Sequence, residues 1–311
     1  MNTVPKVEVV ETTDRRRLMV SEWGKRTGSP VFILHGTPGS RIGVAPRASV
    51  LYQLGIRLIA YDRPGYGESD RDEGRTVASA ADDVRAIADH LGIERFAVVG
   101  RSGGGPHALA CAALLPDLVT RAASLVSMAP RVGRHGMGAR WFDGMTQGNV
   151  DAYSRAADGI ARLAPALRAR TLTIQNDPAT LIAQLLEEVR EADLQVMSDA
   201  GIRRMMKDNY RQALLETGNG WIDDALAFTK DWGFELDGIR VPVLLWHGDQ
   251  DVFSPVDHSS WLAECIPGSI LRTEPGKGHF DAVSVLPDIL PWLKQPVPAP
   301  VLTRSAAPAR G

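Results

Sequence analysis

The sequence has little cysteine, with two residues in 311. Cys111 and Cys265 lie far apart, and neither belongs to a CxxC or CxxH pattern. These spacings give no sign of a cysteine-ligated metal. Cys111 falls in the alanine-rich run ALACAALL, where we expect a buried thiol that packs as a small hydrophobe.

Long apolar runs are also missing. No run approaches the roughly 20 residues that a membrane-spanning helix needs. The first residues, MNTVPKVEVVETTDRRRL, contain no apolar stretch of the kind found in export signals. We therefore expect a cytoplasmic protein that has no membrane partner.

An excess of charge of one sign is absent as well, because the formal net charge is -2. Such a balance produces no global field that would attract nucleic acid or an anionic membrane. Hydrophobic residues make up 44% and charged residues 23%, which is typical of soluble globular domains. A local site that binds a small-molecule substrate is the expected source of specificity, and the oligomeric state is left open.

Two common signatures of bound groups do not occur. No GxGxxG sequence opens a first strand–helix unit, so we expect no nucleotide cofactor. The histidines and aspartates are spread over separate segments without HExxH or comparable spacing. We therefore predict an enzyme-sized domain without cofactor or metal.

What the sequence does contain is a series of short apolar runs, each ending abruptly in polar or glycine residues. Continuous runs of this length are typical of strands buried on both faces of a parallel sheet. Two earlier segments, VEVVET and RRLMVSEWG, alternate and predict a leading hairpin at one sheet edge. The apolar runs are Val31 to Leu34, Leu58 to Tyr61, Phe96 to Val99, Ala122 to Val126 and Val243 to Trp246.

Helical patterns separate several of these runs, most evidently Ala78 to Leu91, which is followed by Gly92 as a stop signal. Alternating strands and helices predict an α/β fold, a mostly parallel sheet with helices on both faces. We assign this core to residues 1–130 and 236–295. In such folds the ligand site lies at the carboxyl ends of the strands.

The alternation stops over residues 131–235, where the pattern becomes helical and an inserted cap is expected. This segment is basic in its first half and acidic in its second, and we interpret the mixture as a solvated surface. The acidic residues include Glu187, Glu188, Asp223 and Asp224. The last residues, 296–311, are rich in proline and alanine without periodicity, which is typical of a disordered tail.

The run Phe96 to Val99 is followed by Gly-Arg-Ser-Gly-Gly-Gly and then by a helical stretch. A GxSxG sequence between a strand and a helix is typical of a nucleophile turn. The turn is so sharp that the positions two before and two after the serine, Gly100 and Gly104, must lack bulky side chains. We predict Ser102 as the nucleophile and the backbone N–H of Gly103 as an oxyanion donor. A glycine-rich loop that merely caps a helix is the structural alternative.

An earlier segment, HGTPGS, follows the run Val31 to Leu34. A tetrahedral intermediate needs a second N–H donor from a loop after an earlier strand. Pro38 has no N–H, so the backbone of Thr37 is the candidate. His35 is expected to hold this loop by hydrogen bonds.

The order HGTPGS, then DRPGYGESD over residues 62–70, then GRSGGG resembles the α/β-hydrolase family over roughly residues 20–295. The resemblance implies a capped, esterase-like or peptidase-like serine hydrolase in which Asp62 and Arg63 shape a loop. Epoxide hydrolases and haloalkane dehalogenases are excluded, because they use aspartate where this chain has Ser102. Proline iminopeptidases usually carry glycine at the position of Thr37 and tryptophan at that of Gly103, which weakens that resemblance.

The run Val243 to Trp246 ends in HGDQD. In similar proteins the second acidic residue of this motif reaches the histidine, which implies Asp251, while Asp249 shapes the turn. Near the end of the chain, a glycine-containing loop carries His279. Its position gives the chain order serine, aspartate, histidine, so we predict His279 as general base and Asp251 as the residue that orients it.

Other polar residues near these motifs receive structural interpretations. His258 and His107 are expected to line a pocket or the surface, and Asp281 to cap the last helix. Arg101, beside the nucleophile, is a candidate contact for a substrate carboxylate, with packing or a surface ion pair as the alternative. Further substrate-contact candidates, each with core packing as the alternative, are Trp141, Phe142, Met145, Trp221, Phe228 and Trp232.

Three functions remain compatible with these residues. The first is hydrolysis of an ester, thioester or amide through an acyl-enzyme, with a carboxylic ester favoured. The second uses the same triad for acyl transfer, perhydrolysis, carbon–carbon cleavage or a lyase step, since one fold hosts many chemistries. The third is a non-catalytic protein that binds a small ligand.

Overall fold

A computed structural model describes residues 5–43 and 46–296 and contains one sheet of eight strands in the described residues. All of the predicted apolar runs and both segments of the leading hairpin form strands. The strands are β1 Lys6–Glu11, β2 Arg17–Gly24, β3 Ser29–Leu34, β4 Ile56–Tyr61, β5 Phe96–Arg101, β6 Val119–Leu125, β7 Val243–Gly248 and β8 Ile270–Glu274.

The strands lie in the order β1-β2-β4-β3-β5-β6-β7-β8. β2 runs antiparallel to both β1 and β4, and every other neighbouring pair is parallel. The hairpin at the edge and the mostly parallel sheet are therefore confirmed. Because β3 and β5 are neighbours, the segments that follow Leu34 and Arg101 emerge side by side.

Eleven α-helices accompany the sheet in the described residues. The helix expected over Ala78 to Leu91 spans Ala80–His90. The helices are α1 Ala48–Leu54, α2 Ala80–His90, α3 Gly104–Leu114, α4 Gln147–Ala157, α5 Ile160–Asn176, α6 Ala179–Glu188, α7 Glu191–Ser198, α8 Ala200–Ala213, α9 Asn219–Thr229, α10 Asp257–Cys265 and α11 Ala282–Leu293. Within the ranges that the structure describes, none of them is long and apolar enough to cross a membrane.

Strand β3 illustrates how the sheet is buried on both faces. Its alternate residues Phe32 and Leu34 join a core cluster that includes residues of α2, α3 and α10, whereas Val31 and Ile33 join a second cluster with α1 and α11. Side chains alternate across a strand, so a strand covered on both faces must be apolar throughout. The expected α/β class with helices on both faces is confirmed.

Helices α4 to α9, together called the helical segment below, connect β6 to β7. Here the interpretation of the acidic half as solvated surface was wrong for three residues, one of which is Asp193 in α7, because its side chain is buried. Asp223 and Asp224 in α9 are buried, because arginines outside the helical segment pair with them: Arg71 with Asp223, and Arg63 and Arg75 with Asp224. Residues 297–311 of the predicted tail lie outside the described residues.

Candidate active site

The turn between β5 and α3 holds Ser102 in a left-handed backbone conformation, with φ of 53°. Non-glycine residues adopt this region at a cost of about 1–3 kcal/mol, and they cluster at functional sites. A Cβ added to Gly100 would lie 2.0 Å from the carbonyl oxygen of Gly104, and one added to Gly104 would lie 2.1 Å from that of Leu34. The glycines thus permit the close approach that the sequence pattern predicted.

Asp251 and His279 meet although 28 residues separate them. The Nδ1 of His279 lies 2.8 Å from Oδ2 of Asp251, and both side chains are buried. Because a carboxylate only accepts, Nδ1 carries a proton, so the neutral form of the ring would have its free lone pair on Nε2. This tautomer is the one that a general base requires.

Several groups besides His279 fix the carboxylate of Asp251. The backbone N–H groups of Phe253 and Ser254 donate to its Oδ1 at 2.8 and 3.1 Å, and Nε2 of His247 donates to Oδ2 at 3.1 Å. Burial raises the pKa of Asp251, but the charge of His279 and the hydrogen bonds from both histidines outweigh burial and lower it below its usual range. Asp251 is therefore ionised at neutral pH.

His247 was not singled out from the sequence. Its Nδ1 accepts from Ser259 Oγ at 2.7 Å, while its Nε2–H also donates to the Ser254 carbonyl at 2.6 Å. Asp249 has the turn-shaping position expected of it, since its Oδ1 accepts from the backbone N–H of Gly276 at 2.8 Å. The bond from Gly276 to Asp249 joins the loop of Asp251 to the loop of His279.

Ser102 and His279 line the same cavity. In the part of the chain that the structure describes, no hydrogen bond links Ser102 Oγ to the His279 ring. The backbone N–H of Ser102 donates to the carbonyl of Leu125 at 2.8 Å, which anchors the turn to the end of β6. The structure thus brings Ser102, Asp251 and His279 to one site, in which a hydrogen bond joins Asp251 to His279.

The loop after β3 is held as expected by His35. Its Nδ1–H donates to the Gly36 carbonyl at 2.8 Å, and its Nε2 accepts from the backbone N–H of Arg63 at 3.1 Å. The backbone N–H groups of Thr37 and Gly103 donate to no group within the described ranges. Thr37 lines the cavity, whereas Gly103 is buried beside it.

Beneath this loop lies a buried carboxylate that sequence reasoning missed. Asp224 Oδ2 accepts from Thr37 Oγ1 at 2.5 Å, from Arg63 Nη2 at 2.5 Å and from the Tyr66 hydroxyl at 2.7 Å, and its Oδ1 accepts from Arg75 at 2.6 Å. Burial raises the pKa of Asp224, but the two arginines reverse the effect and hold it well below its usual range. The structural role assigned to Arg63 thus includes a bond to the helical segment.

His107 lies in the core rather than at a pocket or the surface, so that expectation was wrong. Its Nδ1–H donates to the carbonyl of Gly103 at 2.7 Å, and its ring packs edge-on against Phe228 at 5.6 Å. Burial lowers the pKa of His107 to about 3, with Arg63 adding to the effect, so the ring is neutral. His258 is buried too, and its Nδ1 accepts from the Ala129 N–H at 3.0 Å.

The cavity has a volume of about 1450 Å³ including its opening to solvent. Of the predicted substrate contacts, Arg101 and Trp221 line it. The other candidates do not, because they pack with one another and with core residues: the Trp141 ring lies 5.2 Å from Phe142, and Met145 packs against the same cluster. Phe228 and Trp232 also belong to this core.

Five helices of the helical segment supply one wall of the cavity. Residues of α4, α5, α6, α8 and α9 contribute to it, and Ser102 and His279 line the same cavity. Lining residues from the helical segment include Asn149, Tyr153, Arg170, Leu181, Leu185, Glu188, Met206, Asn209, Tyr210 and Trp221.

Asp281 occupies the N-cap position of α11 as predicted, and its backbone carbonyl accepts from the N–H groups of Ser284 and Val285 at 2.8 and 3.1 Å, but its side chain makes no capping hydrogen bond. The Asp281 carboxylate instead accepts from the Gly278 N–H at 2.8 Å and from Lys277 Nζ at 3.0 Å. Asp281 therefore stabilises the loop that precedes the helix, which is the loop that carries His279.

One group of side chains with metal-ligand chemistry occurs among the described residues, formed by His135, Glu235 and Asp237. None of the three lines the cavity. Arg134 pairs with Asp237 at 3.0 Å, and His135 with Glu235 at 3.0 Å. The group is thus a mixed-charge surface cluster apart from Ser102.

Comparison with known proteins identifies the family of this chain. A family model described as the α/β hydrolase fold matches residues 29–284. A bifunctional esterase/perhydrolase of Acinetobacter calcoaceticus is 24% identical over 92% of this chain and 99% of its own length. A non-heme haloperoxidase of Rhodococcus erythropolis is 25% identical over 92% of this chain and 98% of its own length. The crystal structure of an enol-lactonase from Burkholderia xenovorans superposes with a TM-score of 0.66 at 20% identity, covering 91% of this chain and 96% of that one.

Proposed function

The chain belongs to the α/β-hydrolase family of enzymes, and we propose that it hydrolyses a carboxylic ester of a small organic molecule through an acyl-enzyme on Ser102. The observation that carries this proposal is the bonded pair of Asp251 and His279 in the cavity that Ser102 also lines. Thioesters and amides are further substrates that the same chemistry permits.

The roles follow from the hydrogen bonds. Asp251 accepts from Nδ1–H of His279, which leaves Nε2 to take the proton of Ser102 Oγ as that oxygen attacks the substrate carbonyl. Asp251 stabilises the imidazolium that forms. Catalytic hydrogen bonds often tighten only in the substrate complex, and we propose that the bond between Ser102 and His279 forms at that stage.

The negative charge of the tetrahedral intermediate needs donors that are not already used. The backbone N–H groups of Thr37 and Gly103 have no described acceptor, which supports their assignment to the oxyanion hole. The imidazolium then protonates the leaving alcohol. A water, deprotonated by His279, attacks the acyl-Ser102 ester and releases the acid and the free serine hydroxyl.

We further propose that the helical segment is a cap that selects the substrate. Five of its helices line the cavity that Ser102 also lines, which supports this role. The proposed core then comprises residues 1–130 and 236–295, and the cap residues 131–235. A cap of this kind excludes water and shapes the acyl pocket.

The proposal is tested by intact-mass analysis after treatment with a fluorophosphonate. One stoichiometric adduct is expected on the wild type, and none on Ser102→Ala or His279→Ala. Ser260→Ala and His90→Ala are matched controls outside the cavity and should react like the wild type. An unlabelled, folded wild type would overturn the proposal and favour a protein that only binds a ligand.

Perhydrolysis is a second candidate, favoured by the full-length similarity to a bifunctional esterase/perhydrolase. Here hydrogen peroxide replaces water, attacks acyl-Ser102, and yields a peracid and the free serine. Peracid is measured as bromide oxidation in the presence of acetate and peroxide. Activity that disappears in Ser102→Ala supports this reaction, whereas oxidation that persists in that variant contradicts it.

A further inference from the structure

Arg101 lies at the end of β5, directly before Ser102, and its side chain lines the cavity. A Cβ added to Gly36 would lie 3.5 Å from Ser102 Cβ and 3.8 Å from Arg101 Nη1. The guanidinium and the proposed nucleophile therefore border the same point of the cavity. A group held by Arg101 is close to the ester that Ser102 attacks.

The guanidinium makes no hydrogen bond or ion pair with any residue that the structure describes, and its Nε and Nη2 have no exposed surface. The other buried arginines all have acceptors: Arg63 and Arg75 bond Asp224, Arg41 bonds Asp62, and Arg121 donates to the carbonyls of Gln295 and Pro296. An arginine remains charged in proteins, so a partly buried guanidinium without an anion is costly. The described residues supply no anion for Arg101, as is expected where a bound ligand supplies it.

The two carboxylates that act electrostatically on Arg101, Asp193 and Asp251, already accept hydrogen bonds from other groups. Asp193 accepts from the backbone N–H groups of His279 and Phe280, and Asp251 accepts from His279. Burial lowers the pKa of Arg101. Electrostatic interactions with Tyr210, Asp193 and Asp251 raise this pKa, but they offset only part of the effect of burial. No side chain of the described cavity wall neutralises the guanidinium directly.

The other two cationic residues of the cavity differ from Arg101. Arg41 pairs with Asp62 and also with Glu68 at 2.7 Å. Arg170 forms no ion pair with a described residue either, but it donates from Nε to Gln184 at 3.0 Å and stacks on Trp221. Arg101 instead lies over the ring of Phe280, 5.4 Å from its centroid, which supports the guanidinium without supplying an acceptor.

We infer that Arg101 binds a carboxylate of the substrate, so that the preferred esters are those of small molecules that carry a free carboxylate near the scissile bond. A guanidinium N–H forms a charge-assisted hydrogen bond to a carboxylate, and sites built for such a bond discriminate strongly against analogues that lack it. This inference rests on the proposed ester hydrolysis at Ser102.

The test uses pairs of esters that differ only in that group. The monoethyl esters of succinic, glutaric and adipic acid place the carboxylate in the acyl part, and the O-acetyl derivative of 4-hydroxybutyrate places it in the alcohol part. Each is compared with the ethyl or acetyl ester in which a carboxamide replaces the carboxylate. We expect the wild type to prefer the carboxylate of at least one pair by more than tenfold in kcat/KM.

Arg101→Met keeps the volume but removes the charge, and it is expected to reduce that preference to about one. Arg101→Lys keeps the charge without the planar fork and should retain part of the preference. Arg121→Met is the matched control, because Arg121 also lies over an aromatic ring, Trp292 at 4.9 Å, but outside the cavity. It should leave the preference unchanged.

The inference is overturned if no pair is discriminated by the wild type, or if Arg101→Met lowers kcat/KM for both members of each pair equally. The second result would assign Arg101 to packing or to the oxyanion. Either result leaves the proposed function standing if the wild type still forms the Ser102 adduct with fluorophosphonate. Should Arg101→Met fail to fold, the lysine variant carries the comparison.

Discussion

The carboxylate of Asp193 accepts a hydrogen bond of 3.0 Å from the backbone N–H of His279, which lies 86 residues further along the chain. Its other oxygen accepts from the N–H of Phe280 at 2.6 Å. Asp193 belongs to α7 of the helical segment and is buried. A Cβ added to Gly278 would lie 2.4 Å from this carboxylate, so the glycine makes room for it. The helical segment thus holds the loop of the proposed base.

We expect Asp193→Ala to lower kcat for ester hydrolysis about 10- to 100-fold. The variant leaves two buried N–H groups unpaired, at a cost of about 1–3 kcal/mol each, and frees the His279 loop. Asp193→Asn keeps an acceptor and should lose less. Kinetics and urea unfolding of both variants measure this. Equal kcat in Asp193→Ala and wild type would show that the loop is fixed without Asp193.

Gly103→Ala should impair catalysis by displacing Thr37. A Cβ at Gly103 would lie 2.2 Å from Thr37 Oγ1 and 3.1 Å from Phe228 Cζ. We expect kcat to fall at least tenfold, since removal of one oxyanion donor costs about 10²–10³. Gly238→Ala is the control, because an added Cβ there meets nothing within 4 Å. Unchanged kcat in Gly103→Ala would argue against the proposed oxyanion hole.

Asp251→Asn should preserve the fold and lower kcat by about 10³- to 10⁴-fold. An amide can donate to Nδ1 of His279 and thereby favour the wrong tautomer. Pre-steady-state measurement of acylation separates this effect from binding, and KM should change little. Near-normal acylation in Asp251→Asn would show that another group orients His279. Asp249→Asn, on the same loop, is the control and should acylate like the wild type.

Asp224→Ala is expected to destabilise the protein by about 3–5 kcal/mol, since it leaves Arg63 and Arg75 buried without their anion. Asp231→Ala, an exposed change just after the same helix, provides the control. The urea midpoint measures the difference. Nearly equal midpoints would mean that the two arginines find other acceptors.

Because of His107, the free energy of unfolding is expected to decrease as the pH is lowered. The folded-state pKa of His107 is about 3, below the usual 6.5, so between these values the unfolded chain binds the additional proton. The stabilisation is therefore complete above pH 6.5 and declines by about 1.4 kcal/mol per pH unit as pH falls towards 3. His107→Asn can still donate to the Gly103 carbonyl without titrating. Urea unfolding at pH 7 and pH 4.5 should show a smaller difference in this variant than in wild type.

The motifs that could be predicted from sequence are local. The glycines around Ser102 must be adjacent in the chain to make the turn, and the apolar run of β3 is continuous because the strand is covered on both faces. The roles of Asp251 and His279 came from motif order and family resemblance, and the structure adds the hydrogen bond between them. These features leave a signal within a few residues.

The residues that could not be predicted act over long separations. Asp193 and Asp224 occur in an acidic stretch whose composition is that of a solvated surface, and their partners are 86 and 161 residues away. Likewise, Trp141 and Trp221 are similar in sequence terms, yet one packs into the core and the other lines the cavity. Nothing local distinguishes the members of such pairs.

The sequence by itself determined the order of strands and helices, the sharp glycine-flanked turn at Ser102 and the proposed type of chemistry, because these depend on periodicity, on motifs and on glycine sterics within short segments. Only the tertiary structure decided which carboxylates are buried, which cavity arginine makes no hydrogen bond with a described residue, and how α7 and α9 hold the loops around Ser102. Burial and pairing of charge depend on what the rest of the chain places nearby, and the electrostatic cost of each group follows from those neighbours.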